Sequence, residues 1–151
     1  MMKSYLVFSD VHGDVGSFFK LAEIAKEHDG VLFAGDGYTT VKELPLENVY
    51  AVGGNCDFCG PTEIIVSIDG VRILLTHGHK YGVKTSLLSL SFRARELNCH
   101  VAVFGHTHEP FCAYEGGVML LNPGASSGYG RKTYGVLYIK DGKPDANVFT
   151  L

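Results

Sequence analysis

An α/β architecture built on a mixed β-sheet is predicted by three observations. Short apolar, β-branched runs bounded by glycine or polar turns recur along the chain. Two stretches with helical apolar spacing are interspersed among them, the alternation typical of an α/β fold. Two further strand-like segments near the C-terminus join through a short polar turn, which adds antiparallel pairing.

Taken in order, Tyr5–Phe8 is the first expected strand. A helix is expected from Val15 to about His28, where Val15, Phe18, Phe19, Ala22 and Ala25 follow helical spacing. Asp14 stands at its start as an N-cap and Gly30 after its end as a stop. Val31–Ala34, Val49–Val52, Ile64–Ile68 and Val71–Leu75 are the next strands. A second helix is expected from about Thr85 to Leu97, with Leu87, Leu90, Ala94 and Leu97 on one stripe and Arg93, Arg95 and Glu96 off it. Val101–Phe104 and Val118–Leu121 are again strands. Tyr134–Ile139 and Asn147–Leu151, joined through Asp141-Gly142-Lys143-Pro144, form the closing hairpin.

The chain has 151 residues, with 46% hydrophobic and 19% charged side chains, the balance of one globular domain with a real core. No linker, repeat or low-complexity segment divides it, so a single domain over residues 1–151 with no cap domain is expected. A net charge of −3 argues against a phosphate-backbone binder, so nucleic acid is not the expected partner. The N-terminal apolar run is four residues long, Tyr5 to Phe8, too short for a signal peptide or a membrane span. Cytoplasmic residence without membrane association is therefore expected, with Cys56, Cys59, Cys99 and Cys112 as reduced thiols.

The chemistry lies in the turns at the strand ends. Tyr5–Phe8 leads to Ser9-Asp10-Val11-His12-Gly13-Asp14, and Val31–Ala34 to Gly35-Asp36-Gly37. Val49–Val52 leads to Gly53-Gly54-Asn55-Cys56-Asp57, and Val71–Leu75 to Thr76-His77-Gly78-His79. Val101–Phe104 leads to Gly105-His106-Thr107-His108. Any one of these turns is readily explained as a cap or an ordinary loop. Together they are not, because the carboxyl ends of strands in an α/β sheet converge on one edge, where ligands bind. Asp10, His12, Asp36, Asn55, His77, His106 and His108 would meet there, a mixture of oxygen and nitrogen donors suited to Mn, Fe, Zn, Co or Ni. Seven side chains exceed one tetrahedral site and fit two four-fold sites that share a bridging carboxylate.

These motifs resemble those of the calcineurin-like metallophosphoesterases. The order D-x-H, G-D, G-N-x-[D/E], H and G-H-x-H is matched by Asp10/His12, Gly35-Asp36, Gly54-Asn55-Cys56-Asp57, His77 and Gly105-His106-Thr107-His108. Asn122-Pro123-Gly124-Ala125 resembles the family's closing turn, and the G-N-C-D and T-H-G-H forms look most like its small bacterial and archaeal phosphodiesterase branch. The resemblance implies two mixed β-sheets sandwiched between helices, a four-layer fold. It implies one metal on Asp10, His12, Asp36 and His108, and another on Asp36, Asn55, His77 and His106, with Asp36 bridging. The implied cofactor is two divalent ions, manganese first, with Fe, Zn, Ni, Co or Mg as alternatives. Two such ions lower the pKa of a shared water, whose hydroxide attacks phosphorus in line with the leaving oxygen.

One position departs from the commonest pattern. Many relatives have His after the Asn, serving the leaving oxygen; here it is Cys56, a weaker acid. A preference for good leaving groups is expected. Asp57 is read either as a support for its neighbours or as a cap of its turn. His79 is read either as a substrate-facing catalytic residue or as a loop hydrogen-bonder. Arg131 and Lys132 are candidate phosphate contacts or solvated surface; Tyr38, Phe58 and Tyr81 form either an apolar substrate wall or ordinary core. Cys56-Asp57-Phe58-Cys59 lacks the second pair of a structural zinc site, and Gly60-Pro61 argues against the helix of a redox motif.

The function expected is hydrolysis of a small phosphoester, a phosphodiester before a monoester, with Asp36, Asn55, Cys56 and His79 as catalytic candidates. Alternatives are a phosphomonoesterase with the same metals, a nuclease, and a non-catalytic interaction scaffold such as the member of this fold in the retromer complex. A homo-oligomer is compatible with the sequence.

Overall fold

Alternation along the first strand sets the architecture. In β1 (Met2–Phe8), Tyr5 and Val7 join one apolar cluster while Leu6 and Phe8 join another on the opposite face. A strand buried on both faces must lie between two layers. The computed structural model, which describes residues 1–151, continues with α1 (Val15–Ala25), β2 (Gly30–Phe33), α2 (Tyr38–Lys42) and β3 (Val49–Ala51). Then come β4 (Glu63–Ile68), β5 (Val71–Thr76), a 3₁₀ turn at His79–Tyr81, α3 (Leu88–Glu96) and β6 (Val101–Val103). The chain ends with β7 (Phe111–Glu115), β8 (Val118–Asn122), β9 (Thr133–Lys140) and β10 (Lys143–Thr150).

The strands form two five-stranded sheets, in the orders β10-β9-β1-β2-β3 and β4-β5-β6-β8-β7. In the first sheet β1, β2 and β3 run parallel, with Tyr5 opposite Gly30 and Val31 opposite Val49, while β9 pairs antiparallel with β1 on one side and with β10 on the other. In the second, β5, β6 and β8 run parallel, with antiparallel β4 and β7 at the edges. The inner faces bury a cluster of 16 residues that includes Val7, Leu32, Ile73, Leu75, Val101, Leu121 and Leu137. The outer face of the first sheet packs Leu6, Phe8 and Phe33 with Leu21 of α1 and Val41 of α2. The outer face of the second packs Leu74, Ala102 and Leu120 with Leu90 and Ala94 of α3. The result is the four-layer α/β/β/α sandwich that the family resemblance implied. Each fully buried Leu or Phe contributes about 1.5–3 kcal/mol by leaving water.

Local differences from the sequence reading have local causes. The first helix ends at Ala25; the next three residues tighten into 3₁₀-type bonds, with the N–H groups of Lys26, Glu27 and His28 donating to Glu23, Ile24 and Ala25. The second helix starts at Leu88, because Thr85 and Ser86 both donate to Gly82 O in a preceding turn. The final turn is two residues, Asp141 (φ 53°) and Gly142 (φ 73°), so β10 begins at Lys143, which pairs with Lys140. Helix α2 and strand β7 were not expected. Helix α2 carries Thr39, Thr40 and Val41, poor helix formers held by the burial of Val41, and all five residues of β7 are exposed, which leaves no alternation to read.

Candidate metal centre

The parallel strands of both sheets end at one edge. The first sheet delivers Asp10 and His12 after β1, Asp36 after β2 and Asn55 after β3; the second delivers His77 after β5 and His106 and His108 after β6. These turns are sharp. Asp10 (φ 57°), His12 (44°), Asp36 (65°), His106 (69°) and His108 (64°) all sit in the left-handed region, five of the nine non-glycine residues that do so. Such backbone is costly for side-chain-bearing residues and collects at functional sites.

Close approach depends on glycines. A Cβ on Gly54 would meet the Asp36 carboxylate, and one on Gly105 would meet Ser9 Oγ and the Asp10 carboxylate. Backbone bonds tie the turns together: Asp10 N donates to Gly35 O at 2.9 Å, Val11 N to Asp36 O at 3.1 Å and Gly105 N to His77 O at 3.0 Å.

Asp10 and His77 are completely buried and Asp36 nearly so, while His12 and His108 stand exposed at the rim. Asp10 Oδ1 lies 3.4 Å from His12 Nε2, 3.3 Å from His108 Nε2 and 3.8 Å from His77 Nε2. Asp36 Oδ2 lies 3.6 Å from His12 Nε2 and 3.3 Å from His77 Nε2. His106 Nδ1 is 3.3 Å from His77 Nε2. Cys56 Sγ joins His12 and Asp36 in a further group whose donor atoms all fall within 4.8 Å of one another. The Asn55 carboxamide meets Cys56 Sγ at 3.6 Å, and Cys56 N donates to Asp36 Oδ1 at 2.8 Å, so this loop borders the cluster.

The orientations of these side chains are enforced from outside. His77 Nδ1 donates to Ala34 O at 2.7 Å, which turns the Nε2 lone pair toward the carboxylates. Asp10 Oδ2 accepts from Ser9 Oγ at 2.7 Å and from His106 N at 3.2 Å. Asp10 Oδ1 is left buried with no hydrogen-bond partner. A buried carboxylate oxygen without a partner is costly, and here it faces three imidazole nitrogens. A divalent cation among them would satisfy it, so these residues fit a metal.

Charge is laid out to match. Burial resists ionisation of Asp36, yet the His77 imidazole and the Cys56 N–H hold its carboxyl well below the usual carboxylate range. Burial also resists charging of His77, but Asp36 and Asp10 push its pKa upward. His106 and His79 move the other way, first through burial and then through the neighbouring His77. The Cys56 thiol is pushed up by burial and by Asp36.

Of the remaining candidates, Asp57 combines both roles. Its carboxylate accepts the N–H groups of Asp36 (2.9 Å), Gly37 (3.0 Å), Tyr38 (3.2 Å) and Gly54 (2.8 Å), clamping the loops after β2 and β3 together. His79 is half-buried with Nδ1 unpartnered, its ring centroid 5.5 Å from that of His77. Tyr38, the first residue of α2, packs half-buried against the outer cluster of the first sheet, and Tyr81 packs half-buried against that of the second with its hydroxyl on Glu63; only Phe58 faces solvent. Arg131 Nε donates to Thr150 Oγ1 at 2.9 Å and Lys132 Nζ to Asp14 Oδ2 at 2.7 Å, so both bond within the protein surface. Ser9, Ser127 (Oγ to Asp10 O, 2.6 Å) and Asn122 escaped the sequence reading as supports of the site. Ser9 was signalled only by its place beside Asp10. Asn122, fully buried, donates to Gly105 O and Thr107 Oγ1 and accepts from Gly124 N.

A sandwich whose strand ends gather two carboxylates and four imidazoles around a partnerless oxygen defines a metal-binding α/β protein. The chain belongs to the calcineurin-like phosphoesterase superfamily, whose domain model matches residues 2–142. It is 36% identical over 126 residues to the probable metallophosphoesterase YsnB of Bacillus subtilis, covering 80% of this chain and 73% of that one. It is 28% identical to phosphodiesterase MJ0936 of Methanocaldococcus jannaschii, covering 87% and 90%. Among solved structures it matches a conserved Streptococcus pneumoniae protein described as a predicted phosphoesterase, with TM-score 0.86, 27% identity and coverage of 99% and 90%. Vps29 from Cryptosporidium parvum matches with TM-score 0.78, covering 99% and 98%, but at 21% identity that likeness carries the fold alone. No helix is long and apolar enough to cross a membrane.

Proposed function

We propose that this chain is a two-metal phosphoesterase that hydrolyses phosphodiesters. The observation that carries this reading is Asp10 Oδ1, buried, without a hydrogen-bond partner and facing His12, His77 and His108. Asp10, His12, Asp36 and His108 would hold one cation; Asp36, Asn55, His77 and His106 would hold the other. The position of Asp36 Oδ2 between His12 and His77 supports its role as the shared ligand. Two divalent ions, manganese first among them, would neutralise phosphoryl charge and make water a better nucleophile. Hydrolysis then forms one P–O bond from water and breaks one ester P–O bond, releasing an alcohol and a phosphomonoester.

Two features favour the diester. A diester carries one negative charge and a monoester up to two, yet Arg131 and Lys132 are bonded to Thr150 and Asp14 and not directed at the cluster. Relatives of high coverage, MJ0936 and Escherichia coli YfcE, bear the name phosphodiesterase. Departure of the alcohol receives little help from these loops. The residue after Asn55 is Cys56, whose thiol is a weaker acid than an imidazolium and a poorer proton donor to the leaving oxygen. Esters of acidic alcohols are therefore the best substrates. Four free thiols are consistent with a reducing, cytoplasmic setting.

The test is a paired initial-rate assay on an aryl phosphodiester and its matching monoester, with Mn²⁺ added and with a chelator as control. Chelator-sensitive cleavage, faster on the diester, is expected. Faster monoester cleavage assigns a phosphatase instead. No turnover of either, with metal bound, moves the chain to the scaffold class.

A further inference from the structure

Two aromatic rings stand out by exposure. Phe58 and Tyr129 are each more than fully exposed relative to a reference residue, at 106% and 111%; apart from Met1, no other exposed apolar side chain exceeds the 64% of Phe19. Single apolar residues on a surface are ordinary. These two are distinguished by where they stand. Tyr129 borders a cleft of about 500 Å³ whose floor includes His12 and His108. Phe58 borders a separate cleft of about 250 Å³ that includes Asn55 and His79. The two clefts share no residue, and each opens from a different part of the ligand cluster.

Both rings sit on short spans with fixed bases. On one side Ser127 Oγ donates to Asp10 O at 2.6 Å and Lys132 Nζ to Asp14 Oδ2 at 2.7 Å, while the tip is Gly128-Tyr129-Gly130. A Cβ at either of these glycines would meet nothing within 4 Å, so the tip stands clear of the body. On the other side Asp57 is locked by four backbone N–H groups, and Phe58 is the very next residue. The rings therefore contribute nothing to the core, yet their anchors hold them beside the cluster. A flat group laid against either ring would remove apolar surface from water and gain stacking.

A phosphodiester has two organic groups diverging from one phosphorus, and this site has two clefts diverging from one ligand cluster. We propose that Tyr129 and Phe58 are specificity-determining residues that stack on the two ester groups, selecting phosphodiesters with a flat, aromatic or nucleobase-bearing group on each oxygen. The larger cleft beside Tyr129 takes the bulkier group. This assignment rests on the proposed diester reading, but it is tested through binding, which does not require turnover.

The experiment is calorimetric titration of the Mn²⁺-supplied protein with diphenyl phosphate and with dimethyl phosphate, for wild type, Tyr129→Ala, Phe58→Ala and Tyr129→Phe. Wild type is expected to bind diphenyl phosphate more tightly. Each alanine variant should weaken it about tenfold, the scale of one aromatic stack, and leave dimethyl phosphate unchanged. Tyr129→Phe should restore wild-type affinity. Both side chains are fully solvent-exposed, so neither alanine disturbs the fold. Equal wild-type affinity for the two phosphates, or wild-type affinity for diphenyl phosphate in both alanine variants, overturns the proposal. Loss at only one position leaves a single arm and overturns the two-armed assignment. Failure of the diester reading would show separately, as absent diester turnover in the paired assay.

Discussion

The two sheets repeat one plan, three parallel strands with antiparallel partners, but they supply the site differently. The first sheet brings both carboxylates, Asp10 and Asp36, and its loops are clamped by a charge, the Asp57 carboxylate with four N–H donors. The second brings three imidazoles, and its loop is clamped by a neutral amide, Asn122, with three hydrogen bonds around Gly105–Gly124. Asp36 sits in strained left-handed backbone, and the N–H bonds from Asp36, Gly37 and Tyr38 to Asp57 hold that turn in place.

The contrast predicts unequal costs. Asp57→Ala strands four N–H groups and is expected to lower unfolding free energy by about 3 kcal/mol, the upper range for a charged hydrogen-bond partner. It should also cost activity, because Asp36 and Asn55 lose their shared anchor; chemical denaturation and initial rates measure both. Asn122→Ala removes neutral bonds only, though buried ones, and should cost about 2 kcal/mol. Equal losses in the two variants would show that charge is not what distinguishes the clamps.

A smaller effect concerns the loop that carries Tyr129. Asp14 caps α1 and binds Lys132, and that hydrogen bond, with those from Ser17, lowers its pKa from 3.8 to about 2. A carboxyl with a depressed folded-state pKa stabilises the fold above its unfolded value, and the contribution is lost as pH falls. Stability of the wild type should therefore decline between pH 3.8 and about 2 more than that of Lys132→Met, whose Asp14 lacks the ammonium partner. Parallel acid profiles for the two proteins would remove the Lys132 contact from the account.

Much of this was legible in the sequence because the strand ends announce themselves. β-branched runs stop at glycine and give way at once to Asp, His or Asn, and six side chains of that set, two carboxylates and four imidazoles, lie together at one edge of the sheets. The hidden features depend on contacts between distant segments. Nothing near Asp57 indicates that it would gather N–H groups from Asp36, Gly37 and Tyr38, some twenty residues away. Arg131 and Lys132 look like phosphate contacts by proximity to a glycine-rich loop, and only the fold shows them bonded to Thr150 and Asp14. Strand β7 was invisible because an edge strand exposed along its length has no two-residue pattern. Tyr129 gave no signal because exposure, not residue type, is what sets it apart.

The most direct test is the number of metal ions held by wild type and by Asp36→Ala, measured by equilibrium dialysis against Mn²⁺ alongside diester turnover. Two ions per chain in the wild type, with both binding and turnover lost in Asp36→Ala, is the predicted result, because the substitution removes a ligand from both sites. A variant that keeps two ions and wild-type turnover would contradict the two-metal account outright.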